Sequence, residues 1–200
     1  MLTPTRPLFF LFFYLLTTAT ASAQGDIALG ILRFQKSAQV PDSVVTAVEQ
    51  MVYTKFTDRK RFKVIERSQL DAIHAELAAQ DVMGVEQKTA LTSLGASYVV
   101  VGQVTQADIG RSAGSQGSTI FSAVISYGIR IIDVSTGSVT YSESFSNGRG
   151  NPFANIFSGF NGDNSTPAGA VDIAVQQTAK QVNSFLNTAF PVQGRLVSIE

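Results

Sequence analysis

The sequence contains no cysteine, and this absence limits how the protein is stabilised and anchored. Disulfide bonds cannot stabilise the fold, so the burial of apolar side chains must do so. A bacterial lipoprotein carries its lipid on a cysteine at the first position of the mature protein, so we expect no lipid anchor of that kind. A zinc site would also lack its sulfur ligands.

Histidine is nearly absent as well. The single histidine, His74, lies on a predicted helix beside Leu70, Ile73 and Leu77, so we expect it at the edge of the core or on the surface. A transition-metal site would therefore need carboxylates alone, and the carboxylates are scattered along the chain without a ligand spacing. We predict no metal site.

The sequence has no excess of charge of either sign, because 15 Lys and Arg residues balance 15 Asp and Glu residues. Binding to nucleic acid needs a basic surface that displaces counterions, and binding to an anionic membrane surface needs a polybasic segment. The chain offers neither feature, so we expect no nucleic-acid partner.

Motifs of nucleotide-binding and hydrolytic enzymes are missing too. No G-x-S-x-G elbow, Walker loop or dinucleotide fingerprint follows a predicted strand. The stretch from Gly110 to Gly117 superficially resembles a phosphate-binding loop, but it leads into a strand, so no helix N-terminus is available for an anion. We therefore predict a non-enzymatic protein with no catalytic residues and no cofactor.

The first 23 residues have the three parts of a secretory signal peptide. Arg6 supplies a positive charge, residues 8–16 are an unbroken apolar run, and Ala21 and Ala23 place small residues at the cleavage site. Nine apolar residues rise only about 14 Å as a helix, whereas a bilayer core is about 30 Å thick. We predict a cleaved signal peptide at 1–23, a single domain at 24–200 and export.

Beyond residue 23, apolar residues recur with strand and helix periods in an interleaved order. The predicted order is β-α-β-α-α-β-β-β-α-β. It indicates an α/β (α+β) fold, in which helices pack on a mixed sheet with a central hairpin. The predicted strands span 27–34, 62–66, 98–104, 120–134, 139–146 and 195–199, and the predicted helices follow Pro41 and Ser68 and span 85–94 and 169–189. Gly95 is predicted to end the third helix, and Leu70, Ile73 and Leu77 to face the core from the second. The last helix is amphipathic, and the residues that share its apolar face are Val171, Val175, Thr178, Val182, Phe185 and Ala189.

The connections between these elements carry three further predictions. Residues 35–42 are predicted as a loop, and the Gly/Ser-rich residues 110–118 as a flexible connection. The basic cluster at 58–61 suggests an anion site, but cations suit the negative end of a helix dipole, so a solvated helix C-terminus is the preferred interpretation.

The connection at 147–167 is rich in Gly, Asn and Phe and has no clear periodicity. Four large apolar side chains in it are costly to leave in water: Phe153, Ile156, Phe157 and Phe160. Either they fold back onto the domain, or they contact a protein partner or a membrane. They are the candidate contact residues, and the loops at 110–119 and 147–167 are expected to project from one region of the sheet.

Three sequence blocks together resemble one known family. They are residues 62–67 followed by Leu70, residues 94–104 and residues 131–137. Their order and spacing are similar to those of the CsgG family, which includes the curli secretion component of the bacterial outer membrane and LpoB-type activators of penicillin-binding proteins. The resemblance covers about residues 27–190. Within these blocks, Gly102 lets its strand be crossed closely or form a bulge, and Thr136 and Gly137 make the hairpin turn.

The chain departs from the curli channel at three places. It lacks the lipid-bearing cysteine, residues 35–42 look too short for the loop that constricts the channel, and the two membrane hairpins look trimmed. Each membrane-crossing strand needs about 9–11 residues. The corresponding regions, 105–125 and 143–168, look too short or too often interrupted by Gly, Pro and Asn.

The resemblance implies a non-enzymatic cell-envelope protein that acts in assembly or secretion through partners. Those partners would be envelope proteins or further copies of the chain, with outer-membrane contact left open. The alternative is a ring-forming subunit of an outer-membrane secretion channel, and an activator of a peptidoglycan synthase is a more distant possibility.

Overall fold

A computed structural model describes residues 27–66, 68–70, 84–114, 117–148 and 163–191. It confirms the predicted fold class, since helices pack on a mixed sheet of six strands. The elements in chain order are β1 (Ile27–Ile31), β2 (Gln35–Lys36), α1 (Asp42–Thr57), β3 (Phe62–Val64), α2 (Val85–Ser93), β4 (Tyr98–Ala113), β5 (Thr119–Asp133), β6 (Val139–Ser146) and α3 (Pro167–Ala189).

The sheet joins a parallel half to an antiparallel half. Its strand order is β3-β1-β4-β5-β6, and β2 also pairs with β4. β1 lies parallel to both β3 and β4, whereas β4, β5 and β6 form an antiparallel meander. The predicted hairpin of β5 and β6 is confirmed, with Gly137 at φ +74° in its turn. The Ser135 hydroxyl and the Thr136 N–H donate to Asp133 and hold the pKa of its carboxyl below the usual value.

Two of the predicted loops are wrong in part. Residues 35–36 form β2, which pairs with Gln103 and Val104 of β4. Residues 110–113 belong to β4, and β5 begins at Thr119, so the first four of the nine residues predicted as flexible are paired strand. The apolar alternation of β5 provides a template for β4, and pairing with this neighbour outweighs the low strand propensity of Gly and Ser.

One face of the sheet packs against α1 and α3 and forms the main core. Six residues of α3 predicted to share a face are all buried there: Val171, Val175, Thr178, Val182, Phe185 and Ala189. The Tyr127 hydroxyl of β5 donates to Thr178 Oγ1 at 2.9 Å, and Thr178 donates to the Val175 carbonyl at 2.8 Å. Burial raises the pKa of Tyr127, and this hydrogen bond opposes the shift.

A smaller core lies on the opposite face of the sheet. Leu91 of α2 is fully buried in it, together with Val99 of β4, Leu32 and Val134. Gly95 follows α2 with φ +77°, as predicted for a residue that ends a helix. Because α2 is only nine residues long, it covers one end of this face and leaves the rest of β4, β5 and β6 without a described cover.

The basic cluster that follows α1 contacts the C-terminus of α3 and not the C-terminus of α1. Arg59 donates to the Asn187 side chain at 2.8 Å and to the Asn183 carbonyl at 3.0 Å. Arg61 lies 3.5 Å from the Leu186 carbonyl and 5.0 Å from the ring of Phe62. Burial and the neighbouring Arg61 lower the pKa of Arg59. The prediction of a solvated end is therefore corrected, since these cations join α1 to α3.

Several predictions fall outside the described residues. These are the closing strand at 195–199 and the positions of Ile73, His74 and Leu77 on the second predicted helix. Ser68, expected just before that helix, already has helical backbone, and Leu70 is buried as predicted. Within the described ranges, no helix is both long enough and apolar enough to cross a membrane.

Gly102 of β4 lies directly beneath the ring of Phe34. β1 and β2 run along the same edge of β4, and the residues between them carry Phe34 across this glycine. A Cβ atom built on Gly102 would overlap three atoms of the Phe34 ring. The predicted close crossing is confirmed, and it explains why the strand that begins at Ile27 is interrupted before β2.

Gly102→Ala should lower the free energy of unfolding by about 1–3 kcal/mol, because the added methyl group must displace a buried ring. Urea unfolding followed by circular dichroism measures this change. Gly128 of β5 is the matched control: a Cβ built there comes no closer than 3.8 Å to another residue. Gly128→Ala should change stability by less than about 0.5 kcal/mol. Equal losses in the two variants would contradict the assignment.

Candidate partner-binding surface

The uncovered face of β4, β5 and β6 forms an open polar groove of about 620 Å³. It lies beyond α2, and strand alternation brings small polar side chains to it from all three strands. Its main lining residues are Gln103, Gln106, Ser126, Gly128, Arg130, Ser142, Ser144 and Ser146.

Polar groups in this groove contact one another and do not form a catalytic arrangement. The Ser126 hydroxyl lies 3.0 Å from that of Ser146 and 3.3 Å from Gln106 Oε1. Gln106 in turn donates to Asp108. No nucleophile is paired with a base here, and the described parts of the chain contain no group of three or more acidic or histidine side chains that could hold a metal ion. Hydrogen bonding to a polar partner is the chemistry that this face offers.

The antiparallel pair of β4 and β5 extends beyond the end of β6 as a two-stranded hairpin. The register shifts once, between Val104 and Gln106, and then continues without interruption to the pair Ala113–Thr119. One face of this extension carries Ile109, which is 41% exposed, together with the half-buried Phe121. Phe121 packs against the main core, so Ile109 is the apolar side chain that this face exposes.

The predicted contact residues lie outside the described residues, but the structure describes the chain on both sides of them. These residues are Phe153, Ile156, Phe157 and Phe160. On the first side, Asn147 follows β6, and its side chain continues the strand's hydrogen bonding. Asn147 Oδ1 accepts from the Ile125 N–H at 2.7 Å, and Nδ2 donates to the Ala123 carbonyl at 2.8 Å. The amide side chain thus replaces a further residue of β6 at the edge of β5.

On the second side, the chain returns to the same edge of β5 before α3 begins. The Asn164 carbonyl accepts from the Phe121 N–H at 2.9 Å. Phe121 and Ile125 are four residues apart on one strand, which is about 13 Å. The described residues that flank the segment 149–162 therefore lie beside the β4–β5 hairpin.

The start of α3 is fixed by a cap that the sequence interpretation missed. Thr166 Oγ1 accepts from the Gly169 N–H at 3.1 Å, and Pro167 is the first helical residue. Hydrogen bonds from Ser165 lower the pKa of the Asp163 carboxyl just before it. A threonine followed by proline ahead of a helical pattern was the available signal. No comparable signal marks Asn147, whose role depends on the distant β5.

Asn147→Asp should lower the free energy of unfolding by about 1–3 kcal/mol, because aspartate cannot donate and leaves the Ala123 carbonyl without its partner. Amide hydrogen exchange separates the two bonds of this side chain. The Ile125 N–H should stay protected in Asn147→Asp, whose carboxylate still accepts, and lose protection in Asn147→Ala.

Gln177→Ala is the matched control for Asn147. It removes only the acceptor of the second Asn147 N–H, at 3.1 Å, and should leave Ile125 protected. Unchanged exchange at Ile125 in Asn147→Ala would contradict the proposed role of this side chain.

Comparison with known families identifies the domain. The family model described as curli production assembly/transport component CsgG matches residues 13–198. The chain belongs to the CsgG family. The sequence resemblance is therefore confirmed, and the blocks that carried it map onto β3, β4 and the β5–β6 turn. The curated proteins contain no match to this CsgG-family sequence.

Solved structures with a similar fold include three from bacteria. The hypothetical protein CT253 of Chlamydia trachomatis is 15% identical, with 83% of this chain and 99% of that one covered and a TM-score of 0.50. A PelC dodecamer from Paraburkholderia phytofirmans is 18% identical, with coverages of 78% and 91% and a TM-score of 0.40. The LpoB C-terminal domain of Escherichia coli is 13% identical, with coverages of 64% and 87% and a TM-score of 0.40. The likeness to CT253 concerns the fold alone, and the other two carry no argument about function.

Proposed function

We propose that this CsgG-family protein is exported and acts without catalysis at the cell envelope, in assembly or secretion, through protein partners. Residues 1–23 would be the signal peptide, and 24–200 the working domain in the periplasm. The main support is the placement of Asn147 and Asn164, which flank segment 149–162, at the edge of the β4–β5 hairpin. A family described as an assembly and transport component agrees with this proposal.

The Phe-rich segment is the proposed contact site for a partner. Its apolar residues Phe153, Ile156, Phe157 and Phe160 follow an anchor at Asn147 that holds the chain at the edge of β5. Ile109 on the neighbouring hairpin is exposed and could add to the same apolar contact. Several large apolar side chains within one polar, Gly/Asn-rich segment are typical of a protein-binding site, in which an apolar centre is bordered by polar groups.

Replacing Phe153, Ile156, Phe157 and Phe160 together by serine should weaken partner capture about tenfold or more, which is a loss of about 1.4 kcal/mol. Cross-linking and affinity purification from envelope fractions measures capture, and flotation with phospholipid vesicles tests a lipid contact separately. A circular dichroism melt should show the melting temperature of the parent protein.

The matched control replaces Asn151, Asn155 and Asn161 of the same segment by serine, and it should capture partners as the parent does. Unchanged capture by the apolar-to-serine variant would refute the contact role. A marked drop in its melting temperature would instead show that these side chains fold back onto the domain.

The alternative is a ring-forming subunit of an outer-membrane channel, and one observation favours it. The part of β4 beyond Val104 spans residues 105–113, in which Thr105 lies at the register shift and 106–113 pair with β5, so the first hairpin is longer than the sequence suggested. Nine residues match the minimum for a membrane-crossing strand. Against this, Asp108 and Arg111 lie on opposite faces of the hairpin, so each face carries a charge.

Cell fractionation distinguishes the two functions. We expect the protein, expressed with its own leader in a Gram-negative host, to be released by osmotic shock. Retention in the outer-membrane fraction, together with a ring-sized mass in detergent, would establish the channel and refute the soluble domain.

A further inference from the structure

The outer surface of the helix layer carries a groove between α1 and α3. The two helices run in the same direction, since Arg59 at the end of α1 hydrogen-bonds Asn183 and Asn187 near the end of α3. The groove has a volume of about 320 Å³ and is lined by residues from 47–55 of α1 and from 172–179 of α3. Most of these residues are exposed or half-buried, so the groove opens to solvent and not to the sheet.

Apolar side chains form the floor of this groove, and uncharged side chains form most of its rim. On the rim, Thr54 donates its hydroxyl to the Gln50 carbonyl of its own helix at 2.9 Å, and Gln50 and Gln176 carry no charge. Such a surface is suited to burial against another protein surface, since few charges would lose their water. The floor residues are the buried Val175 and the half-buried Ala47, Met51 and Ala179.

Two charged residues border the groove, and they lie at its opposite corners. Lys55 is in the last turn of α1, whereas Asp172 is in the N-terminal half of α3. One turn before the contact between Arg59 and Asn183, Lys55 is level with Ala179. Lys55 and Asp172 are therefore about 10 Å apart along the helices and about 9 Å apart across them. Within the described ranges, neither residue forms an ion pair or a side-chain hydrogen bond.

We propose that the α1–α3 groove packs against the same groove of a second copy of this chain, with the two helix layers antiparallel. This arrangement places the C-terminal half of each groove over the N-terminal half of the other, so each Lys55 meets Asp172 of the second copy. Parallel packing would instead bring Lys55 and the exposed Lys180 of one copy against the same cations of the other. Helix dipoles favour the antiparallel arrangement too, because the parallel α1 and α3 add their dipoles within each copy.

A second copy supplies the charges that this groove requires. One cation and one anion at opposite corners make the surface complementary to itself after a two-fold rotation. The formal net charge of zero imposes no overall repulsion between copies. The contact is isologous, so it closes at two chains. Because the two ion pairs are exposed and the groove is small, the dimer should be weak and concentration-dependent.

Reversing one charge tests the proposed contact. Two carboxylates would meet at each corner of a Lys55→Glu dimer, and two cations at each corner of an Asp172→Lys dimer. Each variant should therefore raise the dissociation constant of the dimer about tenfold or more, as measured by sedimentation equilibrium of the mature chain. The matched control for Lys55→Glu is Lys88→Glu on α2, which packs on the opposite face of the sheet. It makes the same change of net charge and should dimerise as the parent does.

A mixture of the two variants gives the decisive measurement. When Lys55→Glu pairs with Asp172→Lys, each corner again joins a carboxylate to an ammonium group. The variants should therefore associate poorly alone, whereas a 1:1 mixture should form a heterodimer with about the affinity of the parent dimer. The double variant Lys55→Glu/Asp172→Lys should recover the homodimer for the same reason. Destabilisation of one variant cannot imitate this recovery, because a poorly folded chain would not associate in the mixture either.

Cross-linking through cysteine tests the antiparallel arrangement, since the chain has no cysteine of its own. In that arrangement position 55 of one copy lies near position 172 of the other, while equivalent positions lie toward opposite ends of the dimer. A short bismaleimide should therefore join Lys55→Cys to Asp172→Cys in a mixture much faster than it joins either variant to itself. Faster linkage of Lys55→Cys to itself would contradict the antiparallel arrangement.

Any of three results in solution would overturn the dimer. They are a monomer mass at all concentrations up to about 1 mM, a dimer that neither charge reversal weakens, or a 1:1 mixture that associates no better than the separate variants. A monomer mass throughout would leave the groove to a helix of another protein. The proposal rests on α1 and α3 and not on the Phe-rich contact site, so either can fail without the other.

Discussion

The pairing of β4 with β5 holds together the two parts of this molecule. At one end, Val99 and Val100 of β4 are fully buried between cores on both faces of the sheet. At the other end the same two strands run out to Ala113 and Thr119, where neither face is deeply buried. The buried half of the two strands fixes the register of the exposed half as well. A shift of the pairing by one residue would turn every side chain to the opposite face of the sheet. The hairpin is thus positioned by contacts far from its tip.

The two faces of the sheet differ because the helices cover them unequally. α1 and α3 cover one face, and Arg59 and Arg61 connect these helices by binding carbonyls in the last turns of α3. Phe190, just after α3, packs its ring against Phe62 and Tyr98 at 5.0 and 5.4 Å and closes the same end of the core. On the other face, the described cover consists of α2 and the helical residues 68–70, and polar side chains line the groove beyond them.

The sequence predicted those features that depend on local chemistry or on burial. The apolar face of α3, the helix end at Gly95 and the turn at Gly137 all follow from periodicity or from a required positive φ. The crossing at Gly102 was predicted from a glycine within the strand, and the ring of Phe34 supplies its physical reason. The family itself was recognised from blocks that form strands and their turns.

Features that depend on pairing over long distances were not predictable in the same way. Gly110 and Ser112 were predicted to lie in a flexible connection, because small residues give no periodic signal. They form strand because they pair with β5. Arg59 and Arg61 were predicted to lie in solvent at the C-terminus of the preceding helix. The sequence does not show that α3 ends beside them. Asn147 gave no signal, since its partners lie more than twenty residues earlier in the chain.

The replacement of backbone by the Asn147 side chain lets one amide end a strand. Its Oδ1 and Nδ2 bind the Ile125 N–H and the Ala123 carbonyl, and the Asn164 carbonyl binds the Phe121 N–H. The edge of β5 therefore stays hydrogen-bonded beyond the last residue of β6 without a further strand residue. A single side chain thus sets where the third strand of the meander stops, while the backbone groups of its neighbour remain satisfied.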